Sequence, residues 1–203
     1  NLGLRTLMAA LGLDPKHPSV GQISFVVAPH LNAANRVGDP RVALLLLTTQ
    51  QPALADYLTE VLIAYNQDRK QSQSALSERV ERAIERGEVD PERDRLVWVE
   101  GRGWNPGVLG LVASYVVDRY GLPVVLVSSE GVHSRASARS VGGFNMVECL
   151  ESCDDVFLRF GGHAMAAGFT IRSRRLPEAR ERILAYARQR AADRRDAVYE
   201  IDT

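Results

Sequence analysis

The chain has 203 residues, 45% of them apolar and 25% charged, with 25 basic side chains against 25 acidic ones. These are the proportions of a soluble globular protein, and the length suits one domain, or one domain plus part of another. A net charge of zero excludes a global basic field, so an anionic ligand has to be met by local charge. The longest apolar run, residues 42–47, is far too short to span a bilayer.

Residues 2–12 place Leu4, Leu7, Met8 and Leu11 at the spacing of one helix face, and Gly12 ends it. The chain begins without Met and directly in helical sequence, so it is expected to be cut from a longer protein. Ser19 caps a short second helix that turns Ile23, Val26 and Val27 inward, and Pro29 stops it. Residues 31–40 read as a polar, turn-rich segment. Its Asn32, Arg36 and Asp39 form either a cluster that orients a ligand or a capped turn. An apolar helix follows over 41–47. Residues 53–86 lack Pro and Gly and hold a period near 3.6 through Leu54, Leu58, Leu62, Leu76 and Val80. They predict one helix of roughly 50 Å at ~1.5 Å per residue, a connector between two lobes, with Gln71 as the place for any break.

Beyond residue 95 the pattern becomes strand, loop, helix, strand. Residues 96–100 form the first strand, and 108–120 a helix with Asn105 as cap, Pro106 in its first turn and Gly121 at its end. Residues 123–127 form a buried strand, completing a βαβ unit with a parallel pair. Strands are expected at 133–140, 169–172 and 198–201, and helices at 145–158 and 176–192. The fold class is α/β: a helical first part, a long connector and a mixed-sheet domain, with a boundary near 86–95.

Three stretches could carry chemistry. On a strand, Arg135, Ser137 and Arg139 share one face, with Ala136 and Ala138 opposite. Two guanidiniums and a hydroxyl make an anion clamp, or else a merely soluble strand face. Phe160-Gly161-Gly162-His163-Ala164-Met165-Ala166-Ala167-Gly168 is either a tight turn around a core histidine or a loop whose backbone a ligand can approach. The loop 101–107 opens a helix N-terminus, a natural anion site, with Trp104 expected in the core. Cys149 and Cys153, one helical turn apart, read as buried thiols rather than zinc ligands. The histidines are scattered, so no metal site is predicted in this chain.

The Gly161 to Gly168 run resembles the signature of the DHH-associated domain. Gly101-Arg102-Gly103-Trp104-Asn105-Pro106-Gly107-Val108 is similar to the loop and helix of RecJ-type members of the DHH phosphoesterase superfamily. Ser137-Ala138-Arg139-Ser140 resembles their Ser-Gly-Arg-Ser strand, with Ala for Gly, and Pro29-His30-Leu31-Asn32-Ala33-Ala34-Asn35-Arg36-Val37-Gly38-Asp39 resembles the late part of their catalytic domain. The resemblance implies that residues 1–52 are the end of the catalytic domain, 53–90 a connector, and 91–203 the DHH-associated, substrate-binding domain. It implies a fragment of a 5′→3′ single-stranded-DNA exonuclease of DNA repair and recombination, cytoplasmic and not membrane-bound. Its manganese or magnesium would be held by an Asp-His-His region that this chain lacks, leaving the chain inactive alone. Ser137, Arg139, Ser140, Arg135, Gly161, Gly162, Asn32 and Arg36 would then bind substrate phosphate, and His163 would assist at the scissile phosphate. Two alternatives stay open. One is a DHH-family phosphodiesterase acting on oligoribonucleotides or cyclic dinucleotides, and the other is a non-catalytic nucleic-acid-binding module.

Overall fold

The computed structural model describes residues 1–195, which divide into two compact units, Asn1–Ser74 and the chain from Ala75 onward. The expected strand at 198–201 lies outside the described residues.

The first unit is helical. It holds α1 (Leu2–Ala10), α2 (Val20–Gln22), α3 (Ala28–Val37), α4 (Pro40–Thr48) and the first part of α5 (Pro52–Glu85). Leu7, Met8, Val27, Leu46, Leu58 and Leu62 form its core. Ser19 caps α2 as expected, in a reciprocal capping box with Gln22. Three expectations change. Pro29 does not stop the chain: Ile23–Val27 is a π-turn that runs straight into α3, where Pro29 sits in the first turn. Proline has no N–H and crowds the preceding turn, and a widened π-turn accommodates both. The extra residue also rotates the helix face, so Val27 is buried but Ile23 is 40% exposed. Residues 31–37 are therefore helix rather than turn, and only Asp39 behaves as a cap, accepting from the Arg41 N–H at 2.9 Å. The long helix is as expected: α5 runs through Gln71 without a break.

The second unit is built on one mixed sheet. Its elements are α6 (Pro91–Asp94), β1 (Val97–Arg102), α7 (Pro106–Tyr120), β2 (Val124–Glu130), β3 (His133–Arg139), α8 (Met146–Glu151), β4 (Phe157–His163), β5 (Ala166–Arg172) and α9 (Leu176–Arg195). The strand order is β1-β2-β3-β5-β4, parallel for β1 with β2 and antiparallel elsewhere. One face buries Val125, Ala138, Phe169 and Ile171 in a core with Leu150, Cys149 and Ile183. On the other face, α7 lies against β2 and β3 through Val108, Leu109, Val112 and Val116. Asn105 caps α7 and Gly121 closes it in the left-handed conformation.

The expected helix over 145–158 is shorter than its period suggests: α8 ends at Glu151, a 3-10 turn follows, and Phe157 opens β4. The Gly161-Gly162-His163 segment is thus strand, not loop, and only Ala164 and Met165 turn between β4 and β5. Cys149 and Cys153 are buried and free. Burial pushes their thiols up to about 12 and about 11, which keeps both protonated and unreactive near neutral pH. Near the start of the unit, Asp94 accepts from Arg188 on α9 at 2.6 and 3.2 Å and from Arg93 at 2.9 and 3.1 Å.

Candidate functional site

Pairing in the sheet turns three sequence motifs into a grid. Residues directly opposite on antiparallel strands project from the same face. Arg135 pairs with Thr170, and Thr170 with Arg159. One rung on, Ser137 pairs with Gly168, and Gly168 with Gly161. One rung further, Arg139 pairs with Ala166, and Ala166 with His163. Each rung is about 7 Å from the next, two residues at ~3.4 Å rise. The alternation that places Ala136 and Ala138 in the core therefore lifts Arg135, Ser137 and Arg139 onto this face.

The first two rungs are the floor of an open cleft of about 390 Å³, walled by Pro106 and Leu109 of α7, and the Arg139/Ala166/His163 rung follows next to it on the same face. Among the described residues lining it none is acidic, while Arg135 and Arg159 both border it. This is local positive charge on a chain of zero net charge. Ser137 lines the cleft and accepts from Arg139 Nη1 at 3.2 Å, and the same nitrogen donates to the Ala138 carbonyl at 2.8 Å. A hydroxyl and a planar fork are held side by side, the arrangement that suits a phosphate oxygen pair. Gly110 on α7 makes room for them: a Cβ there would lie 2.6 Å from Arg139 Nη2 and 3.1 Å from Ser137 Oγ. The two glycines of the Gly-Gly pair differ. A Cβ on Gly161 would meet nothing within 4 Å, so its backbone is open to the cleft. Gly162 has φ +148°, and a Cβ there would collide with the Ala166 carbonyl and sit 2.5 Å from Ala167 Cα.

His163 is exposed, and its Nδ1 accepts from the Met165 N–H at 3.3 Å. That bond orients the ring and makes Nε2 the donor toward a ligand. The hairpin tip is tied from outside as well: the Ser140 N–H donates to the Met165 carbonyl and the Met146 N–H to the Ala164 carbonyl, both at 2.9 Å.

Other expected site residues fall elsewhere. Ser140 is buried and gives its hydroxyl to the Phe144 carbonyl at 2.6 Å, so it holds the turn rather than facing the cleft. Asn32 and Arg36 lie on α3 in the first unit, and Asn32 is exposed. Arg36 there accompanies Arg69, whose guanidinium is lowered by burial and by the charge of Arg36. Arg69 donates to Asn66 Oδ1 at 3.1 and 2.9 Å, and Asn66 Nδ2 meets His30 Nε2 at 3.0 Å. Sequence reasoning missed Arg159 and Arg69. At the start of α7, the Gly107 N–H is taken by Asn105 Oδ1 at 2.8 Å, and Trp104 packs half-buried against Gly101 rather than in the core. No group of three or more His, Cys, Asp or Glu among the described residues could hold a metal ion. The oxygen-rich donor set that magnesium or manganese takes is not present among them.

The βαβ start, the antiparallel extension and the Gly-Gly-His edge all lie within residues 94–192, which match the DHHA1 domain family. Over 184 residues the chain is 35% identical to the single-stranded-DNA-specific exonuclease RecJ of Bacillus subtilis, covering 90% of this chain and 23% of that protein. It resembles the crystal structure of Thermus thermophilus RecJ in complex with magnesium at a TM-score of 0.81 and 32% identity, over 93% of this chain and 28% of that one. A manganese-bound exonuclease RecJ gives a TM-score of 0.80 and 33% identity, over 92% of this chain and 45% of that one. Residues 94–192 thus match the DHHA1 domain family, and the chain as a whole is similar to part of these RecJ proteins. It spans about a quarter of the length of the curated relatives it matches, 23% and 26% of the Bacillus and Thermus proteins.

Proposed function

We propose that this chain is the substrate-holding part of a metal-dependent 5′→3′ single-stranded-DNA exonuclease. The observation that carries this reading is the Ser137/Arg139 pair, joined at 3.2 Å and set on the same sheet face as His163. Arg139 and Ser137 bind the 5′-phosphate, the open backbone at Gly161 lets the strand lie close to the sheet, and His163 Nε2 donates to the phosphate being cut. The RecJ relatives are single-stranded-DNA-specific by name, and solved RecJ structures hold magnesium or manganese. In this reading a bound metal would activate the attacking water from ligands other than those described, while these residues bind, orient and neutralise the substrate phosphates. The protein would act in the cytoplasm with DNA-repair and recombination partners. No helix among the described residues is long and apolar enough to cross a membrane.

The test is binding of a 5′-phosphorylated oligothymidylate to the 203-residue chain, followed by fluorescence anisotropy at low salt. Arg139→Ala is expected to weaken binding about tenfold, about 1.4 kcal/mol, and to have little effect on a 5′-hydroxyl strand. Unchanged affinity for the phosphorylated strand would count against the clamp. With manganese added, the chain alone is expected to release no nucleotides from the same strand.

A second variant reaches the clamp without touching it. Gly110→Ala would ordinarily stabilise a helix interior by up to about 1 kcal/mol. Here the new methyl group displaces the Arg139 guanidinium, so we expect unchanged or higher thermal stability with roughly threefold to tenfold weaker binding. Loss of both stability and binding would show that α7 itself had shifted.

A further inference from the structure

The cleft continues beyond the Ser137/Arg139 pair. Two rungs along β3, Arg135 stands in line with Thr170 and Arg159. Arg159 Nε donates to Thr170 Oγ1 at 3.2 Å, which steadies its side chain over the sheet and leaves both terminal amino groups uncommitted among the described residues. Arg135 has no hydrogen-bond or ion-pair partner among them, and both arginines are exposed. The two flank β5, so their Cα atoms stand about 9–10 Å apart, two strand spacings. A guanidinium has reach enough to meet one tetrahedral anion from each side of such a gap, and the fork geometry of Arg suits phosphate oxygens. Between this rung and Arg139 lies the Gly161/Gly168 rung, where nothing fills the space above Gly161. Pro106 and Leu109 give the cleft an apolar side wall.

We propose that Arg135 and Arg159 form a second phosphate subsite, which takes a downstream phosphate of the same strand when Ser137 and Arg139 hold its 5′-phosphate. The inference rests on the 5′-phosphate reading above. Arg135 and Arg139 are four residues apart on one strand, which sets their Cα atoms about 13–14 Å apart. That span holds more than one nucleotide unit. The site therefore selects for chain length: a mononucleotide satisfies one subsite, and an oligonucleotide satisfies both. Arg159 becomes a specificity residue for polymeric substrate, with the backbone phosphates crossing the open glycine rung and sugars lying against the α7 wall.

The experiment titrates ¹⁵N-labelled chain with thymidine 5′-monophosphate and with 5′-phosphorylated hexathymidylate, following amide shifts. Wild type should bind the hexamer at least tenfold more tightly than the mononucleotide. The hexamer should move the amides of Arg135, Arg159 and Thr170, and the mononucleotide only those around Ser137 and Arg139. Arg159→Gln and, independently, Arg135→Gln should weaken hexamer binding about fivefold to tenfold and leave mononucleotide binding unchanged. Each should also lower the slope of log affinity against log salt by about 0.7, one single-strand phosphate contact. The proposal is overturned if both variants bind the hexamer as wild type does, or if they lose mononucleotide affinity by the same factor. Arg139→Ala separates the two claims. If it binds both ligands like wild type while Arg159→Gln loses the hexamer, the 5′-phosphate reading falls and the Arg135/Arg159 subsite stands. Wild type binding neither ligand overturns both.

Discussion

Gly162→Ala is expected to lower unfolding free energy by about 3 kcal/mol or more in a urea titration, while Gly161→Ala stays within about 1 kcal/mol of wild type. The residues are neighbours on β4, and their backbones demand opposite things. Gly162 takes φ +148°, a conformation that L residues rarely adopt, and a Cβ there has the Ala166 carbonyl and Ala167 Cα in its path. Those are backbone atoms of the paired strand, so relief means breaking the β4–β5 ladder at its tip. A Cβ on Gly161 projects into open space above the cleft. Gly161→Ala should therefore fold normally and lose affinity for single-stranded DNA, because its methyl group occupies the ground the strand would cross. Equal stability of both variants would show that the hairpin tip can rearrange around a side chain.

Asp94→Ala is expected to cost about 2 kcal/mol at neutral pH. Its carboxylate is only 3% exposed, and it gathers Arg93 from its own turn and Arg188 from a helix 94 positions later in sequence. Arg188 is 46% exposed, so water can solvate it once Asp94 is gone, which keeps the cost below that of breaking a fully buried pair. The pH dependence has a definite sign. The hydrogen bond from Arg93, and then that from Arg188, hold the Asp94 carboxyl below its ordinary value despite opposing burial. A depressed folded value means stability that is complete above about pH 5 and lost as pH falls through that lowered value. The gap in unfolding free energy between wild type and Asp94→Ala should therefore be constant from about pH 5 to 8 and shrink on acidification below about pH 4. A gap that persisted at low pH would assign the role of Asp94 to packing instead.

Periodicity revealed most of the second unit, because its strands and helices are cleanly punctuated: Asn105 before α7, Gly121 after it, and the Arg/Ala alternation of β3. The shared face of Arg135, Ser137 and Arg139 was legible for the same reason, since a period of two fixes which residues lie together. Arg159 was not legible. A β-bulge between Phe157 and Arg159 breaks the alternation that would have marked β4, and the Cys149, Cys153 spacing extends a helical pattern up to it. Ser140 shows the converse, for it continues the Ser-Ala-Arg-Ser motif yet turns its hydroxyl inward to Phe144. Pro29 reads as a stop in any single-residue rule. Its tolerance depends on the π-turn before it, a feature that adds one residue to a helical turn and leaves no composition signal.

The tied hairpin tip has a thermodynamic consequence. Ala164 and Met165 give their carbonyls to Met146 and Ser140, and the Met165 N–H fixes the His163 ring. The cost in conformational entropy of ordering this edge is met when the chain folds, not when a ligand arrives. The Gly-Gly-His edge is preorganised, so a ligand that docks on it would spend little of its contact energy on ordering the protein.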